Sequence, residues 1–157
     1  MKHTIQALVE NRFGVLARIS GLFSARGFNI ISLAVGETED PSVSRMTLLV
    51  DAKDERILDQ IKKQLNKLID VITVVDLTGK DFFDRELMLF KVNFTKENKK
   101  DIDKLAKEFG AKILETKDSY AVIEICSDQH TALNFLKEIK PFGIKELVRT
   151  GRIAIIK

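Results

Sequence analysis

Apolar residues at Val15, Leu16, Ile19, Leu22 and Phe23 recur at the three- and four-residue spacing of one helical face. Before them, Ile5, Ala7 and Val9 alternate with Thr4, Gln6 and Leu8, the two-residue period of a strand. The pattern predicts a strand over 4–10, a helix over 14–25 that Gly27 ends, and a second strand over 29–36. A polar turn containing Pro41 leads into a third strand over 45–50. Leu58, Ile61, Leu65 and Ile69 share one stripe of a helix over 54–69, and 71–75 closes the unit as a fourth strand.

The second half repeats this order without residue-level identity. A strand over 86–94 precedes a helix over 96–109 with Ile102, Leu105, Ala106 and Phe109 inward. Segments 111–115 and 120–125 predict a hairpin around Asp118-Ser119. A helix over 128–139, capped by Asp128 or Ser127, turns Ala132, Leu133, Leu136 and Ile139 to the core, and 144–156 supplies one or two closing strands. The fold class is therefore α+β. Two successive ferredoxin-like βαββαβ units are expected, with antiparallel sheets and helices on one face. The predicted division is a domain over 1–78, a linker over 79–84 and a second domain over 85–157.

Ile30, Ile31, Leu33, Val35, Leu48, Leu49, Val74 and Val75 supply apolar side chains to both faces of the first sheet. Its helix-free face and its edges therefore require cover from another domain or a second copy. A homodimer is the expectation.

Composition narrows the class. The single cysteine excludes an intrachain disulfide framework. No run reaches the roughly 18 apolar residues that would span a bilayer, and no cleavable apolar segment follows Met1. A cytoplasmic protein without a membrane role is expected. The net charge of +3 comes from the second half, where Lys96, Lys99, Lys100, Lys104 and Lys107 form a stripe interrupted by acidic residues, the pattern of a solvated helix face. Single-stranded RNA recognition on this element order requires aromatics on the central strands, and 4–10 and 45–50 contain none. No nucleic-acid partner is expected.

Little of the chain suits catalysis. Neither a phosphate-binding GxxxxGK[ST] run nor HExxH is present. Cys126 and His130, four residues apart, are the one pair on which an enzyme reading would rest. The cysteine at a strand end is expected as buried filler. Glu37, Glu39 and Asp40 are expected as a solvated turn rather than a cation site. No catalytic, cofactor or metal residue is assigned to this chain.

The turn after the first strand is different. Gly14 at a helix start permits close backbone approach, and the first-turn N–H groups of Gly14, Val15 and Leu16 lack partners inside the helix. A carboxylate there gains hydrogen bonds and the favourable end of the helix dipole. Asn11 and Asn29 are expected at the same end of the sheet, offering acceptors to an ammonium and donors to a carboxylate. The site suits a small zwitterion.

The runs from Asn11 through Phe23, from Arg26 through Ile30, Ser44-Arg45-Met46-Thr47 and Arg85-Glu86-Leu87-Met88-Leu89 closely resemble the small regulatory subunits of acetolactate synthase, which carry an N-terminal ACT domain. The resemblance covers essentially the whole chain. It implies a non-catalytic partner of a large thiamine-diphosphate-dependent subunit, activating it and conferring feedback inhibition by branched-chain amino acids, most often valine. It implies effector contacts at Asn11, Gly14 and Asn29, between paired ACT domains. Val15, Leu16 and Ile30 complete the expected effector site, and Arg45, Met46 and Thr47 are candidates for partner contact or coupling. Thiamine diphosphate, magnesium and FAD are implied for the partner alone. The alternative is a stand-alone amino-acid sensor.

Overall fold

A computed structural model describes residues 2–51 and 55–157 of the chain. The chain divides into two compact units, Met1–Phe82 with Arg152–Lys157, and Phe83–Gly151.

The first unit contains β1 (Lys2–Glu10), α1 (Val15–Ala25), β2 (Asn29–Glu37), β3 (Val43–Asp51), α2 (Glu55–Leu65) and β4 (Val71–Asp76). Its sheet has the order β2-β3-β1-β4. β3 runs antiparallel to both neighbours, Ile5 facing Leu48 and Leu33 facing Leu48 from the other side. Ile5, Ala7 and Val9 of β1 pack with Ile19 and Phe23 of α1 and Ile61 and Leu65 of α2. The period that predicted each element thus fills one core. α1 closes as expected. Gly27 takes φ 68°, and the Phe28 N–H returns to the Phe23 carbonyl at 3.0 Å, satisfying a terminal acceptor.

α2 stops at Leu65, earlier than predicted, and its expected start at 54 lies outside the described residues. Tighter bonds follow, Lys67 to Gln64 and Leu68 to Leu65. They turn Ile69, expected on the buried stripe, fully to solvent. Leu77 is buried, and its N–H donates to the Thr4 carbonyl at 2.9 Å.

The helix-free face of the first sheet corrects a second expectation. Alternation from the buried positions places Thr4, Gln6, Leu8, Arg45, Thr47 and Leu49 on it, whereas Ile30, Leu33, Leu48 and Val74 pack with the helix-side core. The face is mixed rather than uniformly apolar. Part of its cover is the chain's own last strand, β9 (Ile153–Ile156), once β5–β8 of the second unit have intervened. Buried Arg152 donates from Nη1 to Thr4 Oγ1 at 2.8 Å, and Gln6 Nε2 donates to the Ala154 carbonyl.

The second unit contains β5 (Phe82–Asn93), α3 (Lys99–Phe109), β6 (Lys112–Thr116), β7 (Tyr120–Ser127), α4 (Gln129–Ile139) and β8 (Ile144–Arg149), with strand order β6-β7-β5-β8. Asp128 is the cap of α4, its side chain accepting from the Thr131 N–H at 3.0 Å. Bonds from the Thr131 backbone and hydroxyl hold this carboxyl below its ordinary pKa. Phe135, with Ala132 and Ile139, fills the core, while Leu133, expected inward, is exposed. The lysines of the α3 stripe are exposed, as its polar pattern requires. Among the described residues no helix is long and apolar enough to cross a membrane.

Candidate functional site

β1 ends at Glu10, and residues 11–14 turn the chain into α1. Asn11 donates from Nδ2 to Glu37 Oε1 at 3.0 Å and to the Pro41 carbonyl at 2.9 Å. Its backbone N–H donates to the Ser42 carbonyl at 2.7 Å. The 37–42 turn therefore engages the amide NH2, and Oδ1 is left as an acceptor. That is a narrower role than the donor-and-acceptor one expected from sequence.

Gly14 caps α1 with φ 82° and ψ −6°, and no side chain bonds across this turn. Glycine alone takes that left-handed conformation without a Cβ penalty. The Val15 N–H has only a long 3.4 Å contact, to the Arg12 carbonyl outside the helix. Val15 is buried, while Leu16 beside it is exposed.

Arg18 was not singled out by the sequence, although its place one helical turn after Gly14 was a signal. Its Nη1 lies 3.0 Å from where a Cβ on Gly14 would sit. Its Nε donates to Asp70 Oδ2 at 2.7 Å, and Asp70 is buried, so the guanidinium is fixed beside the turn. A carboxylate at this corner would meet the backbone N–H groups, the positive helix end and a guanidinium fork together.

Asn29 is not at this corner. It is exposed and pairs with Asp51 of β3, whereas Glu10 pairs with Val43 at the opposite end of the same strand. The ends are roughly 26 Å apart at the usual ~3.3 Å rise per residue. The reason is topological. β1 and β2 both run antiparallel to β3 and hence parallel to each other, and α1 carries the chain back across the sheet between them. Ile30, half-buried, packs against the helix-side core next to Asn29. One chain thus carries two halves of the expected site at opposite ends of its sheet.

On β3, Arg45 is exposed on the helix-free face, Thr47 is buried on that face, and Met46 between them lies in the core. Asp40 accepts from the Ser42 N–H and hydroxyl at 2.9 and 2.7 Å, bonds that lower its pKa. With Glu37 holding Asn11, the acidic turn is built from internal bonds. Among the described residues no group of three or more His, Cys, Asp or Glu is placed to hold a metal ion. Cys126, expected as buried filler, is exposed, because β7 turns it to the face away from Ile123 and Ile125. The His130 ring meets the Asn134 amide at 3.3 Å. His3 is buried, with Nδ1 3.0 Å from Thr78 Oγ1.

Residues 5–73 match the AHAS small subunit-like ACT domain, and residues 85–157 match the small subunit of acetolactate synthase. The chain is 44% identical to the probable acetolactate synthase small subunit of Archaeoglobus fulgidus, over 100% of this chain and 98% of the relative. It is 38% identical to the acetolactate synthase small subunit of Bacillus subtilis, over 100% of this chain and 91% of the relative. The crystal structure of the acetolactate synthase small subunit from Thermotoga maritima superposes with a TM-score of 0.88 at 34% identity, covering 100% of this chain and 98% of that one. Fold and full-length similarity agree, and the chain belongs to the family of acetolactate synthase small subunits.

Proposed function

We propose that this chain is the non-catalytic regulatory subunit of an acetolactate synthase, and that it works as a homodimer whose effector sites are each completed by two copies. It binds and activates the large thiamine-diphosphate-dependent subunit, which holds the magnesium and FAD, and it transmits feedback inhibition by a branched-chain amino acid such as valine. The observation that carries the two-copy reading is the separation of Asn11 from Asn29 across one sheet.

β2 is an edge strand, and long edges need a partner. Pairing β2 antiparallel with its counterpart about a two-fold axis brings the Asn29 end of one copy beside the Glu37 end of the other. Asn11, bonded to Glu37, then meets the second copy's Asn29. The same pairing covers Leu16, Ile31 and Val35, which a single chain leaves exposed. In such a corner the effector carboxylate lies on the first turn of α1, at Gly14, Val15 and Leu16, with Arg18 beside it. The ammonium meets Asn11 Oδ1, and the branched side chain packs near Ile30 of the other copy. Val15 enters through its backbone, since its side chain is buried.

Response to the effector runs along β3. Met46 lies in the core beneath the helices and Thr47 on the opposite face, so a shift of α1 is felt on both sides of the sheet. Regulation of this kind requires an effector that binds two states of the complex unequally.

The test is reconstitution. The purified chain alone is expected to convert no pyruvate to acetolactate. Added to its catalytic subunit, it is expected to raise acetolactate formation and to make it valine-sensitive. Turnover by the chain alone, or a catalytic subunit that responds neither to the chain nor to any branched-chain amino acid, would contradict the proposal. A chain that binds valine but no catalytic subunit would favour the stand-alone sensor.

A further inference from the structure

Phe13 stands between Arg12 and Gly14 in the turn that leads into α1, and its ring is fully exposed. A lone apolar side chain on a surface is ordinary, but the placing of this one is not. The backbone on both sides of it is held. The Arg12 N–H donates to the Glu10 carbonyl at 3.0 Å, and the Asn11 N–H donates to the Ser42 carbonyl at 2.7 Å. Gly14, the next residue, is fixed at φ 82° as the cap of α1.

Asn11, Arg12 and Phe13 line one open cavity of about 650 Å³. The two polar members are engaged within the chain. The Asn11 amide NH2 is bonded to Glu37 and to the Pro41 carbonyl, and Arg12 Nη1 lies 3.2 Å from Glu10 Oε2. Phe13 is the apolar member, and its ring is left to solvent.

We infer that Phe13 selects the side chain of the effector. This rests on the reading of the corner as an effector site, and adds the residue that separates a branched aliphatic amino acid from a smaller one. The α-carboxylate and α-ammonium are the same in every such ligand. The first-turn N–H groups, Arg18 and Asn11 Oδ1 therefore bind all of them alike, and discrimination requires an apolar surface. With the carboxylate on the first turn of α1, the rest of the ligand faces the cavity. Phe13 directly precedes that turn, its Cα ~3.8 Å from that of Gly14, so its ring stands within side-chain reach. It forms one wall of the side-chain pocket, and Ile30 of the other copy forms the facing wall. Aliphatic carbons laid against the ring remove apolar surface of both partners from water.

The experiment compares the full-length chain with Phe13→Ala and Phe13→Leu. Calorimetry measures valine and alanine affinity, and sedimentation measures the mass of each protein. Phe13→Ala is expected to weaken valine binding by about tenfold, the scale of one methylene group in an apolar pocket. Alanine affinity is expected to stay unchanged, because a single methyl does not reach the ring. Phe13→Leu is expected to keep most of the preference for valine, since it keeps an apolar wall. The valine-to-alanine ratio is the deciding quantity: a disturbed turn lowers both affinities together, whereas a lost wall lowers one. Equal losses for the two amino acids, or undiminished valine affinity in Phe13→Ala, would overturn the inference while leaving the effector site in place. A lowered mass in Phe13→Ala would overturn it in favour of a copy–copy contact. An unmodified chain that binds no branched-chain amino acid would overturn it together with the effector reading.

Discussion

Gly14→Asp is expected to weaken valine binding by about tenfold or more, a loss of about 1.4 kcal/mol, while the protein remains folded. Three effects act together. The backbone at φ 82° is one that residues with a Cβ rarely adopt, at a cost of about 1–2 kcal/mol. The new Cβ would sit 3.0 Å from Arg18 Nη1. Arg18 cannot swing away freely, because its Nε is bonded to Asp70. The added carboxylate then occupies the positive helix end and the guanidinium that the effector carboxylate requires. Gly14→Ala separates backbone strain from charge: it is expected to weaken binding less than Gly14→Asp. Asn29→His, at the other half of the site, is expected to lose the response as well. Calorimetric titrations with unaltered valine affinity in Gly14→Asp and Asn29→His would remove both residues from the site.

The largest stability effect is expected at Phe135. Its ring is fully buried and makes edge contacts with Phe90, centroids 5.2 Å apart, and Phe109, 5.5 Å apart. Truncating such a side chain costs about 3–5 kcal/mol, because the surrounding residues collapse only in part. A unit the size of Phe83–Gly151 has total stability of only roughly 3–10 kcal/mol. Phe135→Ala is therefore expected to remove a large share of that stability and to lower the urea midpoint of the second unit markedly. The chain's single tyrosine, Tyr120, lies in this unit, with its hydroxyl 3.1 Å from Glu115 Oε2 and Lys91 Nζ 4.5 Å from its ring centroid. Tyrosine fluorescence during urea titration reports on that unit. A midpoint equal to that of the unmodified protein would contradict this account of the core.

The elements and their order were legible because each has one apolar face with a clear period. Ile5, Ala7 and Val9, then Ile19 and Phe23, meet in one core. What local pattern could not supply was direction. Asn11 and Asn29 flank the same helix in sequence and lie at opposite ends of the sheet, because a helical crossover returns the chain to the end where β1 began before the next strand starts. Leu133 and Phe135 are both apolar and close in sequence, and only the facing Phe90 and Phe109 decide which is buried. Ile69 fits the helical spacing but follows the last turn of α2. The strap over the first sheet is the extreme case: Gln6 and Ala154 stand 148 positions apart, beyond the reach of any periodicity. At the corner, Gly14 was legible from its place before an amphipathic run. The contribution of Arg18 required the buried Asp70, which directly precedes β4.

The separation of Asn11 from Asn29 also sets the most direct test of the account. Asn11→Ala and Asn29→Ala are each expected to lose valine binding as purified dimers. When the two variants are mixed, unfolded and refolded together, every heterodimer contains one corner with both asparagines missing and one with both intact. Calorimetry of the isolated heterodimer is expected to show one site per dimer with the affinity of the unmodified protein. Heterodimers that bind no valine would contradict a site completed by two copies, and so would either variant alone retaining full affinity.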